Sequence, residues 1–262
     1  MHDLEQLYLL YNSIVQDILK NPRATDEMGK RVTVDGEMYK ALVSYYHFND
    51  FPTVVSDEKY QKLEGDETYH GFTDFDHGAQ LLSHFNYNLG TGGYTPGLFF
   101  TSNREAAVWY TNHEANDLEE DENRVLAVKM KSDAKTMKFD KLQDLMISPS
   151  FALPPDVKQE YAEKIKDLYD FADHLKAQGK YAAGFVKTMK KLSNFAVYLG
   201  LDYVFEEDYE HTIIFNRGSM VVSEEEVRKF TAASKHYKDG AYDFHDRVNS
   251  EDNQDSDDSQ KQ

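Results

Sequence analysis

The sequence predicts an α+β fold, and three observations lead to that class. Apolar residues near the N-terminus recur at the spacing of an amphipathic helix. From residue 53 onward, short runs of β-branched and aromatic residues alternate with loops and short helices. Two longer helical patterns follow before short strand-like runs return. We therefore expect a sheet with a helical preface in front of it and a helical insertion within it.

Two helices are expected in the N-terminal segment. Residues 4–20 place their leucines and isoleucines near helical spacing and stop at Asn21 and Pro22. Residues 37–47 again suit a short helix, which the turn formers at 49–52 end. We expect residues 1–52 to pack as a helical segment on the domain that follows.

The middle of the chain has the composition of short strands. We expect these strands at residues 67–72, 97–101, 124–130 and 136–139. The stretch 90–97 is rich in turn residues, and a helix is expected at 104–110. Residues 117–122 form an acidic run that is typical of a solvated turn.

Two helical patterns make up the expected insertion. The first opens at Pro154, Pro155 and Asp156 and closes at Gly179. The second runs from about 182 to 199 and is followed by Gly200, a typical C-terminal stop. Strands are then expected at 201–205, 212–216 and 220–222. We expect residues 53–245 to form one domain. Residues 246–262 are expected to be a disordered acidic tail, because the last twelve residues hold five acids, one lysine and no apolar side chain.

Composition and charge exclude several classes of protein. With 262 residues, 40% hydrophobic and 13% aromatic, the chain can fill a core, so general disorder is not expected. The net charge of −18 disfavours broad nucleic-acid binding and leaves a local basic groove open. The sequence shows neither a membrane span nor a signal peptide, so we expect no membrane partner and a cytoplasmic location, in a bacterium or a host cell. Because cysteine is absent, any covalent or metal chemistry falls to His, Asp, Glu, Ser or Tyr.

The first segment suited to chemistry is Tyr69-His70-Gly71. It places a titratable imidazole in an expected strand, before a glycine whose bare backbone can approach a ligand closely. A single histidine in a strand is also typical of a structural residue. The histidines His70, His77 and His84 recur every seven residues. Two histidines at that spacing on one helix lie about 10.5 Å apart, too far to ligate one ion, so we expect no metal site.

Two further segments follow the first. The strand 97–102 leads into a helix that ends at Trp109 and Tyr110, which suits either a packed core or the wall of an aromatic pocket. The segment 202–216 is an expected hairpin whose second strand is entered through Glu210 and His211. A carboxylic acid and an imidazole at the start of a strand suit general acid–base catalysis if their side chains face a cleft. A solvated hairpin loop is the other interpretation.

Taken in this order, the three segments resemble the ADP-ribosyltransferase fold, in the branch with a His-Gly first motif seen in poly(ADP-ribose) polymerases and diphtheria toxin. The resemblance covers residues 53 to about 223. It rests on residues 52–58, 69–71, 96–100, 106–110, 126–130, 133–135 and 215–218. The opening, the Asp-Ala-Lys strand and the Asn-Arg ending are most similar to domains of phage structural proteins and bacterial toxins. The resemblance implies a split β-sandwich.

The resemblance also implies binding of NAD as a cosubstrate. His70 would contact the adenosine ribose, the Gly71 backbone would hold the nicotinamide amide, and Tyr110 would stack on the nicotinamide ring. Phe99 stands where the polymerases have a first tyrosine and keeps the aromatic wall without the hydroxyl. Thr101, in the same strand, is a further candidate for cofactor binding.

His211 stands where the resemblance places the catalytic glutamate. A histidine at this position also resembles the RNA 2′-phosphotransferase branch of the fold, whose sites use two histidines and arginines. Glu210 and Glu207 are the candidate acceptors near the ribose, and His211 is a candidate base for the incoming nucleophile. A regular strand would aim Glu210 away from the side that His211 faces, unless a bulge or a shift of one residue intervenes. Arg104 and Arg217 are expected near the pyrophosphate.

The leading hypothesis is an ADP-ribosyltransferase of phage or bacterial-toxin type, whose acceptor is a protein more readily than a nucleic acid. The alternative is an inactive binding or structural module of the same fold, favoured by Phe99 and His211 at two positions of the motif. In a third interpretation the negative charge itself is functional, and the protein is an acidic decoy that occupies the DNA-binding surface of another protein.

Overall fold

The computed structural model describes residues 2–25, 31–48, 50–83, 96–111, 123–148, 153, 155–180, 182–206 and 210–234. These ranges contain ten α-helices and one mixed sheet of eight strands, which confirms a mixed α and β architecture. The expected acidic turn at 117–122, most of the glycine-rich stretch 90–97 and the tail 246–262 lie outside the described residues. No helix in the described ranges is long and apolar enough to span a membrane.

The helices and strands have the following bounds. The helices are α1 His2–Lys20, α2 Val34–Tyr45, α3 Asp57–Lys62, α4 Phe75–Ser83, α5 Arg104–Trp109, α6 Phe139–Ile147, α7 Gln159–Ala177, α8 Ala183–Met189, α9 Leu192–Leu199 and α10 Glu224–Ala233. The strands are β1 Thr53–Val55, β2 Thr68–Gly71, β3 Leu98–Thr101, β4 Val125–Met130, β5 Thr136–Lys138, β6 Tyr203–Glu206, β7 His211–Ile214 and β8 Met220–Ser223.

The strands lie in the order β1-β8-β4-β2-β3-β7-β6-β5. The outermost pairs, β1 with β8 and β5 with β6, are parallel, and the inner pairs are antiparallel. Strand β4 changes partner along its length: residues 125–128 pair with β2, and residues 129–130 pair with β8. The split β-sandwich stays a prediction.

The N-terminal helices pack on the helical insertion. Leu7 of α1 and Met38 of α2 are fully buried in the same core as Phe185 of α8. The ring of Tyr8 meets Phe171 of α7 and Phe185 edge-on, at centroid distances of 6.1 and 5.4 Å. Residues 1–52 therefore share a core with the insertion, while a domain boundary at residue 53 stays a prediction.

The second helix of the insertion was predicted as one element from 182 to 199 and is two helices, α8 and α9. Lys191 between them is extended, with φ −69° and ψ 141°. The Thr188 hydroxyl donates to Asp35 Oδ1 at 3.1 Å, and the Asn194 amide donates to the Thr188 carbonyl at 2.9 Å. The first bond joins the break to the start of α2, and the second lies within the break. Because Asp35 is distant in the sequence, helical periodicity does not reveal the first bond.

The ends of the insertion helices agree better with the sequence. Gly200 follows α9 in the left-handed conformation, with φ +82°, and Gly179 follows α7 with φ +71°. The predicted opening of α7 at Pro154 and Pro155 is wrong, because the helix begins at Gln159 and Pro155 lies in a turn.

Candidate functional site

A pocket of about 380 Å³ opens between β2, β3, β7 and the end of α5. It is lined by Tyr69, His70, Gly71, Phe99, Phe100, Thr101, Ala107, Tyr110 and His211. The five residues predicted to bind a cofactor are all among them, together with His211. The strand order β2-β3-β7 brings the three sequence segments to one place.

A row of directly paired residues crosses the sheet at this pocket. Tyr69 of β2 pairs with Thr101 of β3, Thr101 pairs with His211 of β7, and His211 pairs with Glu206 of β6. Side chains of directly opposed residues share one face of a sheet, with Cβ atoms about 5 Å apart. The row therefore places a carboxylate next to His211.

His70 occupies the gap between β2 and β3. These two strands pair at one position, Tyr69 with Thr101, and beyond it the His70 Nδ1 lies 2.5 Å from the carbonyl oxygen of Phe99. The imidazole ring contacts Phe72 and Phe100, with centroids 4.5 and 5.1 Å away. A side chain thus replaces the backbone ladder, and the strands separate where the pocket opens.

The environment of His70 fixes its protonation. Burial lowers the pKa of His70 below 6.5, and the bond to the Phe99 carbonyl opposes that effect in part. A carbonyl oxygen only accepts hydrogen bonds, so the Nδ1 carries the proton. The neutral ring then presents Nε2 as an acceptor.

Gly71 is required by the packing of α5. A Cβ at this position would lie 2.1 Å from the Ala107 carbonyl oxygen and 3.0 Å from Thr111 Cγ2. The side of Gly71 that lacks a Cβ is therefore in contact with the protein's own helix, which positions Ala107 and Tyr110 at the pocket.

Two of the lining residues, Phe99 and Tyr110, are exposed aromatic side chains, and Trp109 lies beside Tyr110. Phe99 is 39% exposed, Trp109 60% and Tyr110 52%. The rings of Trp109 and Tyr110 meet edge-on, with centroids 5.1 Å apart. The Asn103 side chain caps α5 by accepting from the Ala106 amide at 3.1 Å. Because Tyr110 is exposed and lines the pocket, it belongs to a pocket wall and not to a packed core. Sequence spacing alone had left both interpretations open.

The acids predicted for catalysis are not brought to the pocket. Glu210 precedes β7 in a turn, with φ +53°, its side chain is exposed, and it does not line the pocket. Its carbonyl accepts from the Ser102 amide at 3.1 Å, which ties the turn to β3. Glu207 lies outside the described residues. The carboxylate in register with His211 is that of Glu206, which the sequence analysis missed and which lies next to the lining residue His211 without lining the pocket itself. Pairing the ends of the hairpin around its four-residue loop would have found it.

The two arginines expected near a pyrophosphate have different surroundings. The Arg104 guanidinium lies 5.9 Å from the ring centroid of Tyr69, so this exposed cation lies beside the pocket. The Tyr69 hydroxyl donates to Glu67 at 2.8 Å, and burial together with this carboxylate raises the pKa of Tyr69.

The prediction for Arg217 is wrong, because Arg217 is fully buried. Its Nε donates to the Asp50 carbonyl at 3.1 Å and its Nη1 to the Leu81 carbonyl at 2.9 Å. Its guanidinium also stacks 4.9 Å from the ring centroid of Phe51. Arg217 therefore joins three parts of the chain and does not face a ligand.

Metal-ligating side chains do not cluster in the described part of the chain. No group of three or more His, Cys, Asp or Glu residues is arranged there to hold an ion. His77 lies 3.0 Å from Asp74 on the surface, and His84 lies outside the described residues.

Comparisons with known proteins find no counterpart of this site. No protein-family model matches the chain, and neither the curated proteins nor the solved structures contain a match. The function of the pocket therefore has to be inferred from its geometry and chemistry.

Proposed function

We propose that the protein is an ADP-ribosyltransferase of phage or bacterial-toxin type that binds NAD in the pocket between β2, β3 and β7. One observation carries the proposal: three segments far apart in the sequence line one pocket, with His70, Phe99, Thr101, Tyr110 and His211 among the lining residues. That is the residue set that the resemblance to this fold selects from the sequence.

The size and the aromatic lining of the pocket suit one end of a dinucleotide. Its volume of about 380 Å³ is near the lower end of ligand pockets, about 300–1,000 Å³. We place the nicotinamide between Phe99 and Tyr110, whose exposed rings provide a stacking surface. The Arg104 guanidinium beside Tyr69 is available to the diphosphate outside the pocket.

The chemistry of transfer sets what the site has to supply. The bond from ribose C1′ to the nicotinamide nitrogen breaks, its electron pair leaves with nicotinamide, and a bond from the acceptor nucleophile to C1′ forms. The His211 imidazole takes the proton that the nucleophile loses. The carboxylate of Glu206, in register with His211, stabilises the positive charge that develops on the ribose.

The first test is a titration with NAD. Trp109 is the single tryptophan of the chain and lies beside Tyr110, so its fluorescence reports on the mouth of the pocket. We expect NAD to quench it, and we expect Tyr110→Ala to weaken NAD binding in calorimetry by about tenfold, from the loss of a stacked ring. The matched control is Leu19→Ala, which truncates an exposed apolar side chain of α1. Equal affinity in both variants, or no binding to the wild type, would overturn the proposal.

The second test is release of nicotinamide in the presence of a bacterial lysate, with transfer of labelled ADP-ribose to protein as the readout. We expect Glu206→Gln to lower the rate by about 10²–10³ while NAD binding is kept, the range for removing one group that stabilises transition-state charge. Glu210→Gln is the matched control, because Glu210 lies in the turn before β7 and, unlike Glu206, is not paired with His211 across the sheet.

A non-catalytic NAD-binding module is the second candidate function. It is favoured by His211 at the position of the family's glutamate and by the placement of Glu210 in a turn outside the pocket. Tight NAD binding without any release of nicotinamide by the wild type would decide for the module.

A further inference from the structure

The sheet carries a second concave surface besides the pocket. It is a groove of about 730 Å³, within the range of about 300–1,000 Å³ that small-molecule sites occupy. We refer to it as the groove. Its lining includes none of the residues that line the pocket. The groove is therefore a separate candidate site, and it does not depend on the binding of NAD.

The adjacent strands β7, β6 and β5 form the floor of the groove. Phe205 of β6 pairs with Thr212 of β7 on one side and with Lys138 of β5 on the other. Tyr203 of β6 pairs with Thr136 of β5. All five residues line the groove. Because Tyr203 and Phe205 are two positions apart, their partly exposed rings lie on the same face of the strand. The floor thus combines two aromatic rings with hydroxyl groups.

Thr68 of β2 also lines the groove, and its hydroxyl has no partner. The residue is 8% exposed, and its Oγ1 forms no hydrogen bond with any residue that the structure describes. A buried polar group without a hydrogen bond is rare, because it has lost water without gaining a partner. The equally buried hydroxyls of Thr101 and Thr231 both form hydrogen bonds. A ligand in the groove that offers a donor or an acceptor would satisfy the Thr68 hydroxyl.

The charged side chains of the groove nearly cancel. The groove is lined by three acids and two cations, Glu64, Asp66, Glu67, Lys131 and Lys138. Carboxylates only accept hydrogen bonds and ammonium groups only donate them, while threonine hydroxyls do both. A strongly charged ligand therefore meets repulsion as well as attraction. A neutral ligand whose own groups both donate and accept can pair with all three kinds of side chain.

We propose that the groove binds a neutral sugar, as a mono- or disaccharide. Every sugar hydroxyl both donates and accepts, which matches the mixed lining of carboxylates, ammonium groups and hydroxyls. The C–H groups on one face of a pyranose ring are apolar and pack on the rings of Tyr203 and Phe205. The unpaired hydroxyl of Thr68 gains a partner from the sugar. Binding is reversible, and no covalent bond changes.

The test is saturation-transfer NMR of the full chain with glucose, mannose, N-acetylglucosamine, maltose and cellobiose, followed by calorimetry with the sugar that gives the strongest signal. We expect at least one sugar to bind, with the largest saturation on its ring C–H protons, because these protons lie against aromatic rings. Raising the salt from about 50 mM to about 500 mM is expected to leave the affinity unchanged, since a neutral ligand forms no ion pair.

Inorganic phosphate and a dipeptide with free termini serve as charged probes in the same calorimetry. We expect both to bind more weakly than the selected sugar, because the groove carries acids and cations together. Tighter binding of either probe, or a strong loss of affinity at high salt, would replace the sugar by an ionic ligand and would overturn the inference.

A pair of aromatic variants locates the sugar. Phe205→Ala removes a ring from the floor of the groove and is expected to weaken sugar binding about threefold to tenfold. The matched control is Tyr110→Ala, which removes an exposed ring from the pocket and is expected to bind the sugar as the wild type does. Equal weakening in the two variants would contradict binding in the groove.

A pair of threonine variants tests the unpaired hydroxyl. Thr68→Val keeps the shape of the side chain and is expected to weaken sugar binding about twofold to tenfold, the loss of one hydrogen bond. Its thermal midpoint should stay the same or rise, since an unpaired buried hydroxyl is removed. Thr231→Val is the matched control, because Thr231 is also 8% exposed and does not line the groove. We expect it to keep the wild-type affinity for the sugar.

The inference fails if none of the five sugars binds, or if Thr68→Val binds the sugar as tightly as the wild type does. A purely structural role of Thr68 would lower the thermal midpoint of Thr68→Val and leave the affinity unchanged. None of these measurements uses NAD, so the proposed function can fail or hold independently.

Discussion

The His70 Nδ1 lies 2.5 Å from the carbonyl oxygen of Phe99, at the point where β2 and β3 cease to pair. One side chain therefore bridges two strands that the backbone leaves apart. The carbonyl selects the tautomer with the proton on Nδ1, and the rings of Phe72 and Phe100 pack against the imidazole. The same histidine is thus a structural link between the strands and a wall of the candidate site.

The stability of the protein is expected to fall in mild acid because of His70. Burial lowers the pKa of His70 below 6.5, so the unfolded chain takes up a proton in a range of pH where the folded chain does not. The contribution of neutral His70 to the free energy of unfolding is complete above about pH 6.5. It is lost as the pH falls toward the pKa of His70 in the folded protein, by at most about 1.4 kcal/mol per pH unit.

Urea denaturation of the wild type and His70→Asn at about pH 7.5 and pH 5.5 measures this loss. The asparagine amide does not titrate and keeps a donor near the position of Nδ1. We expect the variant to lose less free energy of unfolding between the two pH values than the wild type. An equal loss in both proteins would assign the acid sensitivity to other groups.

Glu226 of α10 is expected to stabilise the part of β4 that β8 does not cover. Its Oε2 accepts from the Ala127 amide at 2.9 Å, and Lys229 one turn later donates to the Val125 carbonyl at 2.7 Å. Glu226→Ala leaves a buried amide without its acceptor and should cost about 1–3 kcal/mol. Glu226→Gln keeps an acceptor oxygen and should cost less. Hydrogen exchange at the Ala127 amide checks the mechanism, since protection there should decrease most in the alanine variant.

Lys164 of α7 is expected to stabilise the end of α9. Its Nζ donates to the Tyr198 and Leu199 carbonyls at 3.0 and 3.1 Å and lies 5.7 Å from the ring centroid of Tyr46. Lys164→Met should lower the free energy of unfolding by about 1–3 kcal/mol, because two terminal carbonyls lose a charged donor. Lys166→Met on the same helix removes an exposed pair with Asp170 and should change the free energy of unfolding very little. Equal costs in urea denaturation would contradict the assigned role.

Gly71→Ala is expected to be strongly destabilising. The added Cβ would meet the Ala107 carbonyl oxygen at 2.1 Å, a contact that only a shift of α5 relieves. We expect a cost of about 1–3 kcal/mol or more and a lower thermal midpoint. The control is Gly36→Ala in α2, where the nearest atom is the Thr33 hydroxyl at 3.1 Å. Alanine is favoured over glycine inside a helix, and this gain should offset the close contact with Thr33. We therefore expect Gly36→Ala to change the free energy of unfolding little.

Local signals were sufficient for much of the fold. Helix α1 ends at Lys20, just before Asn21, and Gly200 takes the positive φ that a helix-ending glycine adopts. The strands carrying Tyr69, Phe99 and His211 were found from their β-prone composition. Each of these features depends on a few neighbouring residues, which is why sequence patterns reveal it.

Contacts between distant segments account for what the sequence did not reveal. The break between α8 and α9 depends on Asp35, which accepts from the Thr188 hydroxyl. The burial of Arg217 depends on carbonyls of Asp50 and Leu81, and neither is visible in the residues next to it. Glu206 became a site residue only once the register of the hairpin set it opposite His211.

The short connection between β4 and β5 limits the shape of the sheet between these two strands. In the order of strands β4 is third and β5 is eighth, so five spacings separate them, about 24 Å if the sheet were flat. The six steps from Met130 to Thr136 span at most about 20–22 Å when fully extended. A turn shortens them further, since the Ala134 amide donates to the Lys131 carbonyl at 3.1 Å.

A flat arrangement of the six strands from β4 to β5 is therefore impossible, and these strands must curve until β5 approaches β4. The groove of about 730 Å³ is lined both by Met130, at the end of β4, and by Phe205 of β6. Thr212 lines this groove, while its neighbour His211 lines the pocket. Because neighbouring residues of a strand point to opposite faces of a sheet, the groove and the candidate site meet β7 on opposite faces.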